Sequence, residues 1–342
     1  MNKTAVVILN WNGRDLMRRY MPTVVATSRA TGGVDIIVAD NASTDGSLDM
    51  LRAEFPSVGI ITLDRNYGFA EGYNRALSQL GHEYVVLLNS DVAPAEGWLE
   101  PLVSLMDSDP AIGACGPKLL DDKEHSRFEY AGAAGGFLDA YGFPFCRGRI
   151  LDNVEPDNGQ YDDNIDCLWV SGAALMTRRK LYLELGGLDS DFFAHMEEID
   201  LCWRMRNKGW RVVAATRDSK VYHLGGATLA QGNPRKTYLN FRNNLTMIVK
   251  NLYSRHWWFT LLKRSSLDDF ASLRFLFTGQ GKQFLMVHVA HFDFLRGLPS
   301  ALRKRAKLRE GCDGKTVAEV RPYCMIWRRY ARKLVTFNAM DK

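Results

Sequence analysis

Tyr84-Val85-Val86-Leu87-Leu88-Asn89-Ser90-Asp91 is the stretch that decides the fold. Five apolar residues follow one another without the polar alternation of a half-exposed strand, and the run stops abruptly at three polar side chains. A short run of that kind suits a strand buried on both faces of a parallel sheet. Residues 5–9, 36–39 and 60–63 read the same way. Helical patterns separate these runs: Phe69, Tyr73, Leu77 and Leu80 recur at spacings of three and four and form one apolar face. Strand alternating with helix predicts a doubly wound α/β sheet.

In such a sheet ligands bind beyond the carboxyl ends of the strands. The residues that follow the four runs are Asn10-Trp11-Asn12-Gly13, Asp40-Asn41-Ala42-Ser43, Asp64-Arg65-Asn66 and Asn89-Ser90-Asp91. All are rich in polar groups, which points to a site along one edge of the sheet.

Residues 121–165 have a different texture, with many Gly, Asp and Asn and little periodicity, and predict a long loop excursion over the sheet edge. A second structured block runs from Cys167 to about Gly226. Beyond 230 the pattern is helical, with breaks expected near Gly279-Gln280-Gly281, Pro299 and Gly311. The expected division is therefore 1–228, made of 1–120, 121–168 and 169–228, followed by a basic helical extension over 229–342.

Composition excludes several classes. Apolar residues are 46% and charged residues 24%, the balance of an ordinary globular chain. Six cysteines without a CxxC pair argue against a zinc site or a dithiol redox motif and fit a reducing compartment. The run at 5–9 is too short for a signal-peptide core, and no apolar stretch reaches the roughly 18 residues of a membrane span. A cytoplasmic protein is expected. The net charge of +5 is uneven: residues 299–342 hold twelve Lys/Arg against four Asp/Glu, a local +8, leaving −3 for the rest. That tail, with Trp327, Arg328, Arg329 and Tyr330 interleaved, is either a solvated basic helix or a surface for lipid headgroups. A second aromatic and basic cluster, Trp257, Trp258 and Phe259 near Arg255, Lys263 and Arg264, either packs on the catalytic domain or lies in a membrane interface. No nucleic-acid partner is expected.

Four constellations carry chemistry. Asp40 ends a buried strand and either caps the following turn or accepts the N3–H of a uracil or thymine ring. Asp91, at the end of the run quoted first, is placed either as a turn residue or as an oxygen ligand for a hard cation. Glu197 and Glu198 open a helical pattern in which Met196, Ile199 and Trp203 share a face and Gly209 is the stop. They serve the helix dipole, or one of them deprotonates a hydroxyl. His223 ends the short run Val221-Tyr222-His223 and either packs or completes a metal shell.

Taken together, these segments resemble family 2 glycosyltransferases, inverting enzymes of the GT-A fold, and within them the branch with rhamnosyl- and galactofuranosyltransferases. The resemblance spans about 3–228. It rests on Asn10-Trp11-Asn12-Gly13, on 38–47, on Arg65-Asn66-Tyr67-Gly68-Phe69-Ala70-Glu71-Gly72-Tyr73-Asn74, on Leu88-Asn89-Ser90-Asp91, on Val170-Ser171-Gly172-Ala173 and on 196–204. It implies a mixed, mainly parallel sheet flanked by helices. It also implies a nucleotide-sugar donor, UDP- or dTDP-linked, and a glycan or lipid-linked acceptor. Asn10, Asn12, Asp40, Asn66, Gly68, Gly72 and Asn89 fall at the nucleotide site. Trp169, Gly172, Ala173 and His195 fall at the donor and acceptor pocket. Asp91 and His223 are the implied ligands of Mg²⁺ or Mn²⁺, and Glu198, with Glu197 beside it, the implied base.

Two departures stand out. The family's metal motif has more than one aspartate where Asn89 and Ser90 precede Asp91 here, and its catalytic Glu-Asp pair reads Glu197-Glu198. Tyr238-Leu239-Asn240-Phe241-Arg242-Asn243-Asn244 resembles the helix that follows the catalytic domain in relatives. Two other enzyme classes share the alternating pattern but lack support: a dehydrogenase wants GxGxxG after the first strand, and a pyrophosphorylase a basic Gly-rich loop there. The competing expectation is a catalytically silent relative that binds nucleotide or glycan. An acceptor bound to lipid would seat the protein peripherally on the inner face of the plasma membrane through its basic C-terminal region.

Overall fold

Neighbouring residues of β1 (Thr4–Asn10) and β4 (Tyr84–Leu88) enter two different cores. Ala5, Val7, Val85 and Leu87 belong to one, and Val6, Ile8, Val86 and Leu88 to the other. This period of two, with both faces dry, is why the strands read as unbroken apolar runs. The computed structural model describes residues 2–225, 232–312, 314 and 317–342.

The first half alternates as expected: β1, α1 (Arg14–Arg29), β2 (Val34–Asp40), α2 (Ser47–Glu54), β3 (Gly59–Thr62), α3 (Gly68–Ser78) and β4. Then come β5 (Val92–Pro94), α4 (Leu99–Ser108), β6 (Ile112–Gly116) and β7 (Lys118–Asp121). The second block supplies β12 (Asn164–Asp166), β13 (Ala174–Arg178), α5 (Arg179–Glu184), α6 (Glu197–Asn207), β14 (Arg211–Ala215) and β15 (Lys220–His223). The main sheet runs β12-β14-β6-β13-β4-β1-β2-β3. Only β12 and β13 oppose their neighbours, so the sheet is mixed and mainly parallel. A small sheet β5-β15-β7 stands beside it.

The loop excursion expected over 121–168 is corrected. It contains a four-stranded sheet of β8 (Gly136–Leu138), β9 (Pro144–Cys146), β10 (Arg149–Ile150) and β11 (Asn153–Val154). Strands of two or three residues are too short to show a period. The extension is built into this insert. Leu138 bridges to Val320, Ala140 N donates to Tyr323 O, and Phe337 packs within 6.0 Å of the Phe137, Phe145 and Tyr161 rings. The expected 228/229 boundary, like Gly226, lies outside the described residues.

The C-terminal helices are α7 (Pro234–Asn251), α8 (Trp257–Phe277), α9 (Gly281–Arg309), α10 (Met325–Tyr330) and α11 (Phe337–Met340). The expected break at Pro299 does not occur, because α9 runs through it. The carbonyl a proline frees four residues back belongs to Leu295, on the exposed side of the helix, where water can satisfy it. Much of the tail's charge is spent internally: Arg321 pairs with Asp341, Arg206 with Glu319, and Arg328 donates to Met340 O. Among the described residues no helix is long and apolar enough to cross a membrane.

If Phe337 is core rather than appendage, Phe337→Ala costs about 3 kcal/mol of unfolding free energy, the usual loss for a buried ring. Equilibrium urea unfolding checks it. A midpoint equal to wild type would show that the tail only lies on the surface.

Candidate active site

The parallel register aligns the strand ends. Asn10 lies opposite Asp40, Asp40 opposite Thr62, and Ile8 opposite Leu88. Asp40 is buried; Oδ1 accepts from Asn10 Nδ2 at 2.9 Å and Oδ2 from Ser43 N at 2.9 Å. Each oxygen keeps a further lone pair, so the carboxylate is an acceptor held in place by its own turn. Asn12 is exposed and accepts from Thr44 N at 2.7 Å, which ties the turn after β1 to the turn after β2. Trp11, between the two asparagines, is 55% exposed and presents its indole to solvent.

Asn41 was not singled out by the sequence reading, although it follows Asp40 directly. Its Oδ1 accepts from Tyr67 N at 2.9 Å, and its Nδ2 reaches Asn66 Oδ1 and Gly68 O, both at 3.0 Å. This latch brings the 66–72 segment to the edge. Gly68 adopts φ +76°, and a Cβ there would meet the Phe193 ring at 2.8 Å. Gly72 is buried, and its missing side chain leaves the space that Asn41 and Leu9 occupy.

Two further pairings complete the edge. β13 runs antiparallel to β4 with Ala174 opposite Leu88, and the half-buried Asn89 donates its N–H to Ala173 O at 2.9 Å. That places Gly172 and Ala173 beside the end of β4. β15 pairs with β5 so that His223 faces Val92, and Leu224 N donates to Asp91 O. In consequence His223 Nε2 lies 3.2 Å from Asp91 Oδ1, both groups being buried. His223 Nδ1 faces Glu129 Oε1 at 3.4 Å. Burial by itself would lower the imidazole, but the hydrogen bonds and charges of Asp91 and Glu129 overcome it and raise His223 to about 10.

Without an ion this contact is an imidazolium–carboxylate pair; once the Nε2 proton is displaced, an oxygen and a nitrogen 3.2 Å apart have the spacing of neighbouring ligands of a divalent cation. Neighbouring ligands about 2.1 Å from an octahedral ion stand roughly 3 Å from each other. Among the described residues no cluster of three or more His, Cys, Asp or Glu forms a ready cage. This donor set suits an ion that takes its remaining ligands from phosphate and water. Glu129 escaped the sequence reading because it sits alone in the aperiodic insert.

Glu197 and Glu198 open α6, as expected from the sequence. Glu197 is 5% exposed and Glu198 half-buried, and each has a buried Oε2 without a partner. A Cβ on Gly172 would lie 3.3 Å from Glu198 Cβ, so the glycine opens room for this side chain. Burial, then the charge of Glu198, push Glu197 well above the usual carboxyl range. Burial raises Glu198 to about 6 against the helix N-terminal amides of Glu198 and Ile199.

The lead-in to α6 is held from the C-terminal helices. Phe193, His195 and Met196 all have positive φ, at 64°, 70° and 73°. Asn243, fully buried on α7, brings its Nδ2 within 2.9 Å of the carbonyl oxygens of Phe192, Ala194 and His195. The quoted motif from Tyr238 to Asn244 was its sequence signal. Beneath the loop, Lys250 bridges Asp189 at 2.5 Å and Asp200 at 2.8 Å, and Arg204 pairs with Asp200 at i, i+4. Burial, with the Lys236 charge, lowers His195 to about 4, so its ring is neutral near pH 7.

One expected pocket residue is corrected. Trp169 is 2% exposed and packs in the core, with its indole N–H given to Phe137 O at 3.1 Å. A large apolar ring gains more there than at a wet edge.

Comparison with known proteins bears on the family and the fold. The model of glycosyl transferase family 2 matches residues 5–181. An N-acetylglucosaminyl-diphospho-decaprenol L-rhamnosyltransferase of Mycobacterium tuberculosis is 26% identical over 277 residues, 74% of this chain and 85% of that one. The O-antigen biosynthesis protein RfbC of Myxococcus xanthus is 25% identical over 69% of this chain but only 18% of its own length. Among solved structures, a mannosyltransferase of Pyrobaculum calidifontis in complex with GDP-Man and Mn²⁺ aligns with a TM-score of 0.55 at 15% identity. It covers 91% of this chain and 86% of that one. GalNAc-T7 with UDP, GalNAc and Mn²⁺ aligns with a TM-score of 0.59 at 13% identity, over 88% of this chain and 58% of that one. At these identities the two structures speak for the GT-A fold.

Asn243→Ala removes the donor shared by three carbonyls of the strained segment, of which Phe192 O keeps Ala194 N and Arg242, and is expected to cost about 2 kcal/mol. Hydrogen exchange of the 189–196 amides should accelerate more than exchange in β1 or β4. Uniform acceleration would show that Asn243 supports the whole fold and not this loop.

Proposed function

Because the chain belongs to glycosyl transferase family 2, we propose that it is an inverting, metal-dependent enzyme that moves a sugar from a UDP- or dTDP-sugar to a glycan or lipid-linked acceptor in cell-surface polysaccharide synthesis. The sugar would be of the rhamnose, galactofuranose or hexose type; the mycobacterial relative's name gives rhamnose and a lipid diphosphate. The acceptor would place the work at the cytoplasmic face of a membrane. What supports the reading above all is the contact of His223 with Asp91 at the end of β4, beside the turns of Asp40 and Asn66.

In this reading the β1–β2 turns hold the nucleotide, with the fixed Asp40 carboxylate as acceptor for a pyrimidine N3–H. Asn66, Gly68, Gly72 and Asn89 line the path of the nucleotide, and Trp11 offers a face for stacking. Asp91 and His223 would hold Mg²⁺ or Mn²⁺, which supplies the positive charge that neutralises a departing diphosphate. Glu198 takes the proton of an acceptor hydroxyl. The freed oxygen attacks the anomeric carbon from the face opposite the diphosphate, and the nucleoside diphosphate leaves with the bonding electrons. The two glutamates divide their roles through their environments. Glu197 is the more deeply buried of the two, whereas Glu198 is half-buried and faces the gap at Gly172, which places Glu198 as the base.

Glu198→Gln should lower turnover by roughly 10² to 10⁴ with nucleoside diphosphate binding retained, and Glu197→Gln should lose far less. Since the base works only when deprotonated, the rate should rise with pH through about 6 and then level off. The reverse ranking of the two variants would move the base to Glu197.

Calorimetric titration of UDP, dTDP and GDP, with and without Mn²⁺, into wild type and His223→Ala tests the site itself. Metal-dependent binding of a pyrimidine diphosphate, weakened in the variant, is expected. Folded wild-type protein that binds none of the three would overturn the enzyme in favour of a silent relative.

A further inference from the structure

Helix α8 is built inside out. Its buried residues are Arg264, Asp268 and Ser272, spaced by four along the inner face. Arg264 donates to Asp268 at 2.8 Å, donates to Asn244 and lies over the Phe143 ring, so the polar stripe is the one that joins the body of the protein. The outer face carries Trp258, Leu262, Phe270, Leu273, Leu276 and Phe277, of which Phe270 is 71% and Phe277 84% exposed. At 3.6 residues per turn these six span an arc of about 120°. Asp269 is the acid on that arc; Lys263 and Arg274 border it. On α9, Leu285, Phe292 and Leu295 are each more than half exposed, next to exposed Lys282 and Arg296. Arg274 donates to Tyr330 Oη at 3.2 Å, which sets α10 and its exposed Trp327 beside the end of α8.

A helix in a water-soluble fold normally turns its apolar stripe inward. Here the inward stripe is apolar only in the first turns, at Trp257 and Leu261, and polar and paired beyond them, so the outward one is the stripe left for another phase. We propose that the outer face of α8, with the exposed residues of α9, docks on an anionic lipid bilayer, its aromatic residues entering the headgroup boundary and its cations meeting lipid phosphate. Charge selects this occupant. Residues 255–298 hold six Lys/Arg against three Asp/Glu, a net of +3. A second copy would set two such faces against each other, which like charge opposes, whereas an anionic surface attracts them. The contact surface is therefore centred on α8, and the tail beyond 299 contributes mainly through the internal pairs already described. The inference deepens the membrane-linked acceptor reading and needs no transfer to be observed.

The test is sedimentation of the full chain with vesicles of phosphatidylcholine alone or with one part in four phosphatidylglycerol, at low and high salt. Wild type should bind the anionic vesicles, bind the neutral ones less, and release with salt. Phe270→Glu/Phe277→Glu should weaken binding about tenfold or more, with nucleoside diphosphate binding unchanged. Lys263→Glu/Arg274→Glu should lose the preference for anionic lipid, and carries the test should the first variant fail to fold. Wild type left in the supernatant, or a folded aromatic variant that sediments like wild type, overturns the proposal. So does light scattering that shows a lipid-free dimer broken by that variant, since a second copy would then cover the face. Vesicle binding by a chain that binds no nucleotide would sink the transferase reading and leave this one standing.

Discussion

Strand β4 offers water nothing along its length: Tyr84 to Leu88 are buried, with β1 hydrogen-bonded on one side and β13 on the other. A strand dry on both faces leaves chemistry only at its end. Much of what arrives there does so through backbone pairing. β1 brings Asn10, β2 adds Asp40 one strand further out, β13 delivers Gly172 and Ala173 by running the other way, and β15 delivers His223 through its register with β5. Had β13 run parallel, its other end would have lain there and Glu198 would have lost the gap it occupies.

The second constraint is the strained lead-in to α6. Three non-glycine residues with positive φ within four positions hold only if their surroundings over-determine them. Here those surroundings are α7 and α9, through Asn243, Arg242, Lys250 and Lys304. Burial works against the Asp189 charge, yet Lys250 and Lys304 hold that carboxyl well below its ordinary range. The C-terminal helices are thus part of the scaffold of the glutamate pair, which separates their role from that of an optional appendage. The same helices turn an apolar face outward, so one element can both set the site and seat it at a surface.

The four strands of the first half, and the polar ends where the candidate site lies, were legible because strand burial and strand ends are local properties. Asp40, Asp91, Glu198 and His223 each stood in such a local signal. The insert was not legible, since strands of two or three residues carry no period, and with it went Glu129 and the aromatic nest around Phe337. Trp169 was misread because an aromatic next to a motif looks alike whether its ring turns to the cleft or to the core.

What the sequence by itself determined is the period of two, the helical stripes and the polar strand ends, because these depend on neighbours a few residues away. Only the tertiary structure decided that Asp91 meets His223, that Glu197 is buried more deeply than Glu198, and that α8 faces outward with its apolar side. Those outcomes depend on burial and on distances between groups far apart along the chain. Desolvation and charge coupling exist only once the chain has closed around them.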